Sequence, residues 1–328
     1  MILRAVHNTR ISAFVVSFFI LILLWLRLFL LNTVHITTFN NPSMPLWETI
    51  IEPLFGYSKY YSAVLSLILT FFIAFSLNRI ILKFGLLQRQ SMLPFVIFSL
   101  LSCAFLSVQK LNPIWIFTLF FILGIEQIFL AVGKQKPQVN CFNASLLVGI
   151  GALFYAKGVF LFVVFFVIVA ILRVANFKSI IALLLGLMFP FLIQFSIYYF
   201  TDNVIGFFIG FEENILSNSG QYNHGTFSRI YFGVMIFFNV ISIILSFRYM
   251  QSRKILARRC FRCFTWIMFL ICAAILTPFF ATEIIPVIAL ISTPIVSLWI
   301  DSMRKIYFQE IVTTFLIVVT ILGQIFLN

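Results

Sequence analysis

Residues 11–31 read ISAFVVSFFILILLWLRLFLL, twenty-one positions with one charge, Arg27, and no acid. A helix crosses the roughly 30 Å of bilayer hydrocarbon with about 20 apolar residues. A cleavable leader has a shorter apolar run, roughly 7–15 residues, with a small-x-small site behind it. This run is longer, and Asn32 and a polar stretch follow it without such a site. It reads as a retained transmembrane helix, and it sets the pattern for the rest of the chain.

The 328 residues are 62% hydrophobic and 9% charged, with 44 Phe. A soluble domain is nearer half apolar and a quarter charged. Too few ionic groups remain to cover a water-facing surface, which excludes a soluble enzyme, a disordered tail and a nucleic-acid binder. Further apolar runs recur at 60–82, 93–108, 113–133, 144–156, 158–174, 179–200, 228–247, 264–281, 284–300 and 311–327. The expected fold is all-α, a polytopic transmembrane bundle of about eleven spans in one domain, 1–328. The runs 144–156 and 158–174 are divided only by Lys157 and Gly158. They fit either two half-depth helices meeting at a bend or one kinked unit.

Basic residues concentrate on the cytoplasmic side of a membrane protein. With the N-terminus inside, 17 of the 22 Lys and Arg fall in inner segments, four in outer segments and Arg27 within a span. The net charge of +13 is therefore read as an orientation signal. The C-terminus then lies outside. The basic loop Arg248–Arg262 suits anionic lipid head groups. Two outer loops are long, Asn32–Lys59 and Thr201–Phe227, and six of the nine acids face that side.

The first long loop holds Glu48 and Glu52 at i, i+4, with Pro45 suited to a first helical turn. If Leu46–Ile51 is helical, both carboxylates share a face of a short helix lying in the interface. They are either solvated acids on a plug or catalytic groups. In the second case Glu48 or Glu52 is a general base that deprotonates an acceptor hydroxyl while a lipid-linked donor enters sideways. His35 in this loop is a candidate metal or phosphate contact, although a lone His is usually just a polar loop residue. The second loop predicts another interfacial helix over Val204–Leu216, followed by Tyr222 and His224 on a Gly-flanked stretch. Amide, ring and hydroxyl groups there suit sugar recognition. Arg27, near the outer end of its span, either snorkels outward or meets a phosphate. Glu126 lies deep in a span and is expected to face the bundle.

No metal site is expected. Cys260 and Cys263 form a CxxC, but no His or Cys cluster nearby completes a zinc set. The chain has no GxxxxGK[ST], no HExxH and no GxSxG, so an ATP motor, a zincin and a serine hydrolase are not supported. The residues name no cofactor.

The stretches NRIILKFGLLQRQSMLPF (Asn78–Phe95), GIGALFYAKGVFLF (Gly149–Phe162) and GLMFPFLIQFSIYYF (Gly186–Phe200) resemble a family of uncharacterised bacterial inner-membrane proteins, over about the first two-thirds of the chain. The layout of two long outer loops also resembles the C-type superfamily of membrane glycosyltransferases. That resemblance implies a multi-pass protein of the bacterial inner membrane. Its partners would be membrane lipid and a polyprenyl-phosphate sugar, with the catalytic acid in the first loop. Glu48 matches that position best and Glu52 second. The superfamily's usual acid is Asp, and this loop contains none. Two other readings stand beside it: a non-catalytic scaffold subunit of an envelope complex, and a lipid or small-molecule permease.

Overall fold

In the computed structural model, residues 11–30, 44–55, 59–216, 226–275, 282–303 and 305–326 are described. Among them every regular element is helical. Helix α1 spans Ile11–Leu30; a π-helix, Trp47–Ile51, leads into α2, Glu52–Phe55. Then come α3 (Lys59–Lys83), α4 (Leu93–Ser102), α5 (Leu106–Gln109), α6 (Pro113–Ala131) and α7 (Pro137–Ala152). A 3-10 segment, Ala156–Phe162, opens into α8 (Val163–Leu172), followed by α9 (Phe177–Phe200) and α10 (Val204–Leu216). The last are α11 (Thr226–Met250), α12 (Ile255–Ile275), α13 (Ile285–Ser302) and α14 (Ile306–Phe326).

Among the described residues, seven helices are long and apolar enough to cross a membrane: α1, α3, α6, α9, α11, α13 and α14. Each coincides with an expected span. The described residues of the other four expected spans form helices that are shorter, interrupted or basic, and 276–281 lie outside the described residues. The run 93–108 breaks after ten residues at Ser102 and resumes as a single turn. The run 264–281 begins inside α12, whose first two turns carry Arg258, Arg259 and Arg262.

Local chemistry explains many of the boundaries. Proline occupies the first turn of α4, α6, α7 and α13, where its missing N–H is no loss. Gly85 ends α3 with φ of +66°. Leu86 N–H there reaches back to Ile81 O and Gly85 N–H to Leu82 O, the Schellman pattern. The same pattern closes α8 at Arg173 (φ +60°) and α9 at Asp202 (φ +54°), two residues with side chains where glycine is favoured.

The described residues divide into two compact units. The first contains α1, most of α3, α4, α5 and α11–α14. Helices α1 and α3 run antiparallel, with Phe18 edge-on to Phe71 at 5.5 Å and Trp25 Nε1 donating to Ser66 Oγ at 3.3 Å. At the centre of this unit α13 is buried at every position from Ile285 to Ile300. It packs against α4, α11 and α12, as expected of a helix that is apolar all round.

The second unit contains the Trp47–Phe55 stretch and α6–α10. Helices α6 and α7 form an antiparallel hairpin, with Asn140 Nδ2 donating to Gln127 Oε1 at 3.1 Å. Helices α7 and α9 run parallel at close range. A Cβ on Gly149 would stand 2.8 Å from Leu187 O, and one on Gly186 would collide with Phe142 O and Ser145 Oγ. Small residues at Cys141, Ser145 and Gly149 let the backbones approach. Since α7 and α9 point the same way, the segment 156–172 must return between them. The helices on either side of Lys157 are therefore turned back on each other.

Helix α10 has the bounds expected from the sequence but a different placement. It folds back along α9, with Phe211 against Phe191 at 5.5 Å and Phe207 against Phe195 at 5.9 Å. This antiparallel register carries Glu212 and Glu213 to the level of Pro190, about 15 Å back from the end of α9 at 1.5 Å per residue.

Candidate functional site

Two places gather the groups with chemical capacity. In the second unit, the helical stretch bearing Glu48 and Glu52 is pinned by one buried face. Met44, Trp47 and Ile51 are 3%, 4% and 8% exposed. Its start is tied down by Trp47 and Glu48 N–H groups donating to Met44 O at 2.9 and 3.1 Å, and by Thr49 Oγ1 donating to Pro45 O at 2.8 Å. Glu48 and Glu52 are both exposed on this stretch, sharing a face as the spacing predicts. The wider π turn keeps them nearly in line. Ile50 and Leu54 also face outward, so the apolar contact rests on Trp47 and Ile51.

The Glu48 carboxylate lies within electrostatic reach of the Tyr198 hydroxyl, in the last turn of α9. Tyr198 is half-buried, and its ring lies 5.6 Å from that of Phe207. The carboxyl end of α7 leads into the 3-10 segment of the same unit. Two residues there were not singled out by the sequence reading. Lys157 is 1% exposed at the start of the 3-10 segment, and Tyr155 beside it is 5% exposed. In the sequence Lys157 looks like a loop cation because Gly158 follows it. In the fold Gly158 lies so close to the Phe117 ring that a Cβ would overlap it, and the segment is drawn inside. A buried ammonium is costly unless paired, and Lys157 has a partner.

The second place lies in the first unit, where α1, α4 and α14 end together. Arg27 is half-buried, and its Nη1 donates to Gln324 O. Gln324 Nε2 donates to Cys103 O at 2.9 Å and to Leu24 O at 3.2 Å. Gln109 Nε2 donates to the same two carbonyls, at 3.2 and 3.3 Å. The break after α4 frees the Cys103 carbonyl, and two glutamines satisfy it. Gly323 permits this approach: a Cβ there would stand 2.6 Å from Ala104 O. Beside this knot is a cavity of about 280 Å³, lined by Ile20, Leu23, Leu24, Leu93, Val96, Leu100, Thr313, Ile317, Ile321 and Gln324.

Of the sequence-derived candidates, Glu48 and Glu52 share one helical stretch in the second unit, and Arg27 belongs to the first. His35, Tyr222 and His224 lie outside the described residues. Glu126 is buried, at 5% exposure. Cys260 and Cys263 lie on the buried face of α12. Burial pushes the Cys260 thiol up to about 12 and the Cys263 thiol higher still. Neutral thiols are poor metal ligands, and the described residues contain no cluster of three His, Cys, Asp or Glu able to hold a metal ion. Comparison of the chain with known protein families, curated proteins and solved structures finds no match.

Proposed function

We propose that this integral membrane protein transfers a sugar from a lipid-linked donor on a scaffold like that of the C-type glycosyltransferases, with Glu48 as general base. The observation that carries the reading is Glu48 itself. It stands exposed on a stretch whose other face is anchored by Met44, Trp47 and Ile51, within electrostatic range of Tyr198. A base held by packing rather than by a free loop is organised before the acceptor arrives. Glu52, one turn on, is the second candidate for the role. Arg27 and His35 are the candidate contacts for a phosphate, and Tyr222 and His224 the substrate gate. The reading takes the membrane to be the bacterial inner membrane, crossed eleven times with the N-terminus inside. Residues 93–108 and 144–174 then cross as short helices shielded by protein, a reading supported by the burial of all ten residues of α4.

The test is sugar transfer by the purified chain in proteoliposomes with a polyprenyl-phosphate sugar. Glu48→Gln is expected to lower the rate by about 10²–10⁴-fold, the usual worth of a general base. Unchanged transfer by this variant refutes the assignment. The permease reading has one observation in its favour, the broken helix at Ser102–Leu106 with its liganded carbonyls. It predicts substrate flux that falls on Gln109→Leu.

A further inference from the structure

We infer that the cavity between α1, α4 and α14 holds the single apolar chain of a lipid phosphate, with Arg27 on its phosphate. The inference rests on the lipid-linked reading for the choice of ligand class, and it adds where that lipid is held and by which groups.

Three observations converge on it. The lining is aliphatic except for Thr313 and Gln324, so it suits a hydrocarbon and offers little to a sugar or an amino acid. The volume of about 280 Å³ is at or below the small end of ligand pockets, roughly 300–1,000 Å³. It takes a segment of one chain and excludes the paired chains of a glycerolipid. Its wall on α14 runs from Thr313 to Gln324, about 16 Å along the helix, which is about half the roughly 30 Å hydrocarbon thickness. One leaflet's depth of chain therefore fits.

The head-group end follows from the same geometry. Gln324 is at once the polar wall of the cavity and the partner of Arg27. The guanidinium carries five N–H donors, and among the described residues one of its nitrogens is engaged, on Gln324 O. The rest can form a forked contact with a phosphate. Arg27 lies in the last turn of α1, near the end of a helix whose length matches the hydrocarbon thickness. Leu23 and Ile321, 52% and 47% exposed, form the cavity's outward lip, so a chain enters sideways from the bilayer without passing through water.

The experiment is equilibrium binding of radiolabelled polyprenyl phosphate to the full chain in lipid nanodiscs, read apart from transfer. Wild type is expected to retain the probe. Arg27→Gln weakens binding about ten- to a hundredfold, as loss of a charged hydrogen bond does, and Arg27→Lys restores part of it. Ile321→Trp, which fills the cavity from its exposed lip, abolishes binding while the protein elutes as wild type. Inorganic phosphate does not compete, and the neutral polyprenol binds more weakly. Equal retention by wild type, Arg27→Gln and Ile321→Trp, or no retention by wild type, overturns the inference. Tighter retention of phosphatidylglycerol than of the polyprenyl phosphate overturns the single-chain assignment. The two proposals fail separately. Binding that survives in Glu48→Gln alongside unchanged transfer sinks only the catalytic base, and transfer that depends on Glu48 without binding in the cavity sinks only this site.

Discussion

At the scale of single residues, glycines show how much of the packing turns on one missing carbon. Gly186 faces Phe142 O and Ser145 Oγ with no room for a Cβ, whereas Gly210 has nothing within 4 Å. Gly186→Val is therefore expected to force α7 and α9 apart and cost about 1–3 kcal/mol or more. Gly210→Ala is expected to gain up to about 1 kcal/mol from helix propensity. Thermal unfolding of the two variants in detergent, moving in opposite directions, checks both. The candidate site is legible in the sequence to different degrees at this scale. Glu48 and Glu52 are visible because Pro45 and an i, i+4 spacing predict a local helix, and local helices are what spacing encodes. Lys157 is invisible as a buried residue because its neighbour Gly158 packs on Phe117, a contact made across dozens of positions.

At the scale of elements, the αL closure of α8 stores a small strain. A side chain at φ of +60° costs about 1–2 kcal/mol relative to the ordinary helical region, and glycine escapes it. Arg173→Gly should raise the melting temperature by a few degrees, and a fall in it would show that the arginine makes a compensating contact. Helix α12 gives a second expectation. Cys260 lies in the first two turns of α12 and its thiol is raised to about 12 by burial, against an ordinary value near 9. A group raised in the folded state stabilises below its unfolded value and loses that contribution as pH climbs toward the folded one. The stability of α12 is thus complete below about pH 9 and declines from there toward pH 12. Alkylation of Cys260 at pH 8 should be slow until the protein unfolds, as mass spectrometry of the modified peptide will report. The position of α10 marks the limit of reading elements from sequence. Its amphipathic pattern predicts Val204–Leu216 as a helix but names no partner, and Phe207 and Phe211 find theirs on α9.

At the scale of the whole molecule, the long apolar helices follow from composition alone, since a twenty-residue apolar run has few alternatives in a bilayer. The broken and half-length elements do not, because 93–108 and 137–172 are shaped by neighbours that shield them. The sidedness read from Lys and Arg has its own check. Cysteines placed at Leu54 and Ser252, both exposed, should react with a membrane-impermeant thiol reagent from opposite faces of sealed vesicles. Labelling from the same face would reverse the assignment of one end of the chain.

The burial of α13 carries a consequence for biogenesis. The helix around which the first unit closes leaves the ribosome after α1, α3, α4, α11 and α12, of which α1, α3 and α11 are long and apolar enough to enter the membrane before that hub exists. Those earlier helices must wait side by side, loosely associated, until Ile285–Ile300 is released by the translocon and slots among them. A nascent chain arrested short of that point would be inserted yet hollow, and quality-control proteases would meet it in that state.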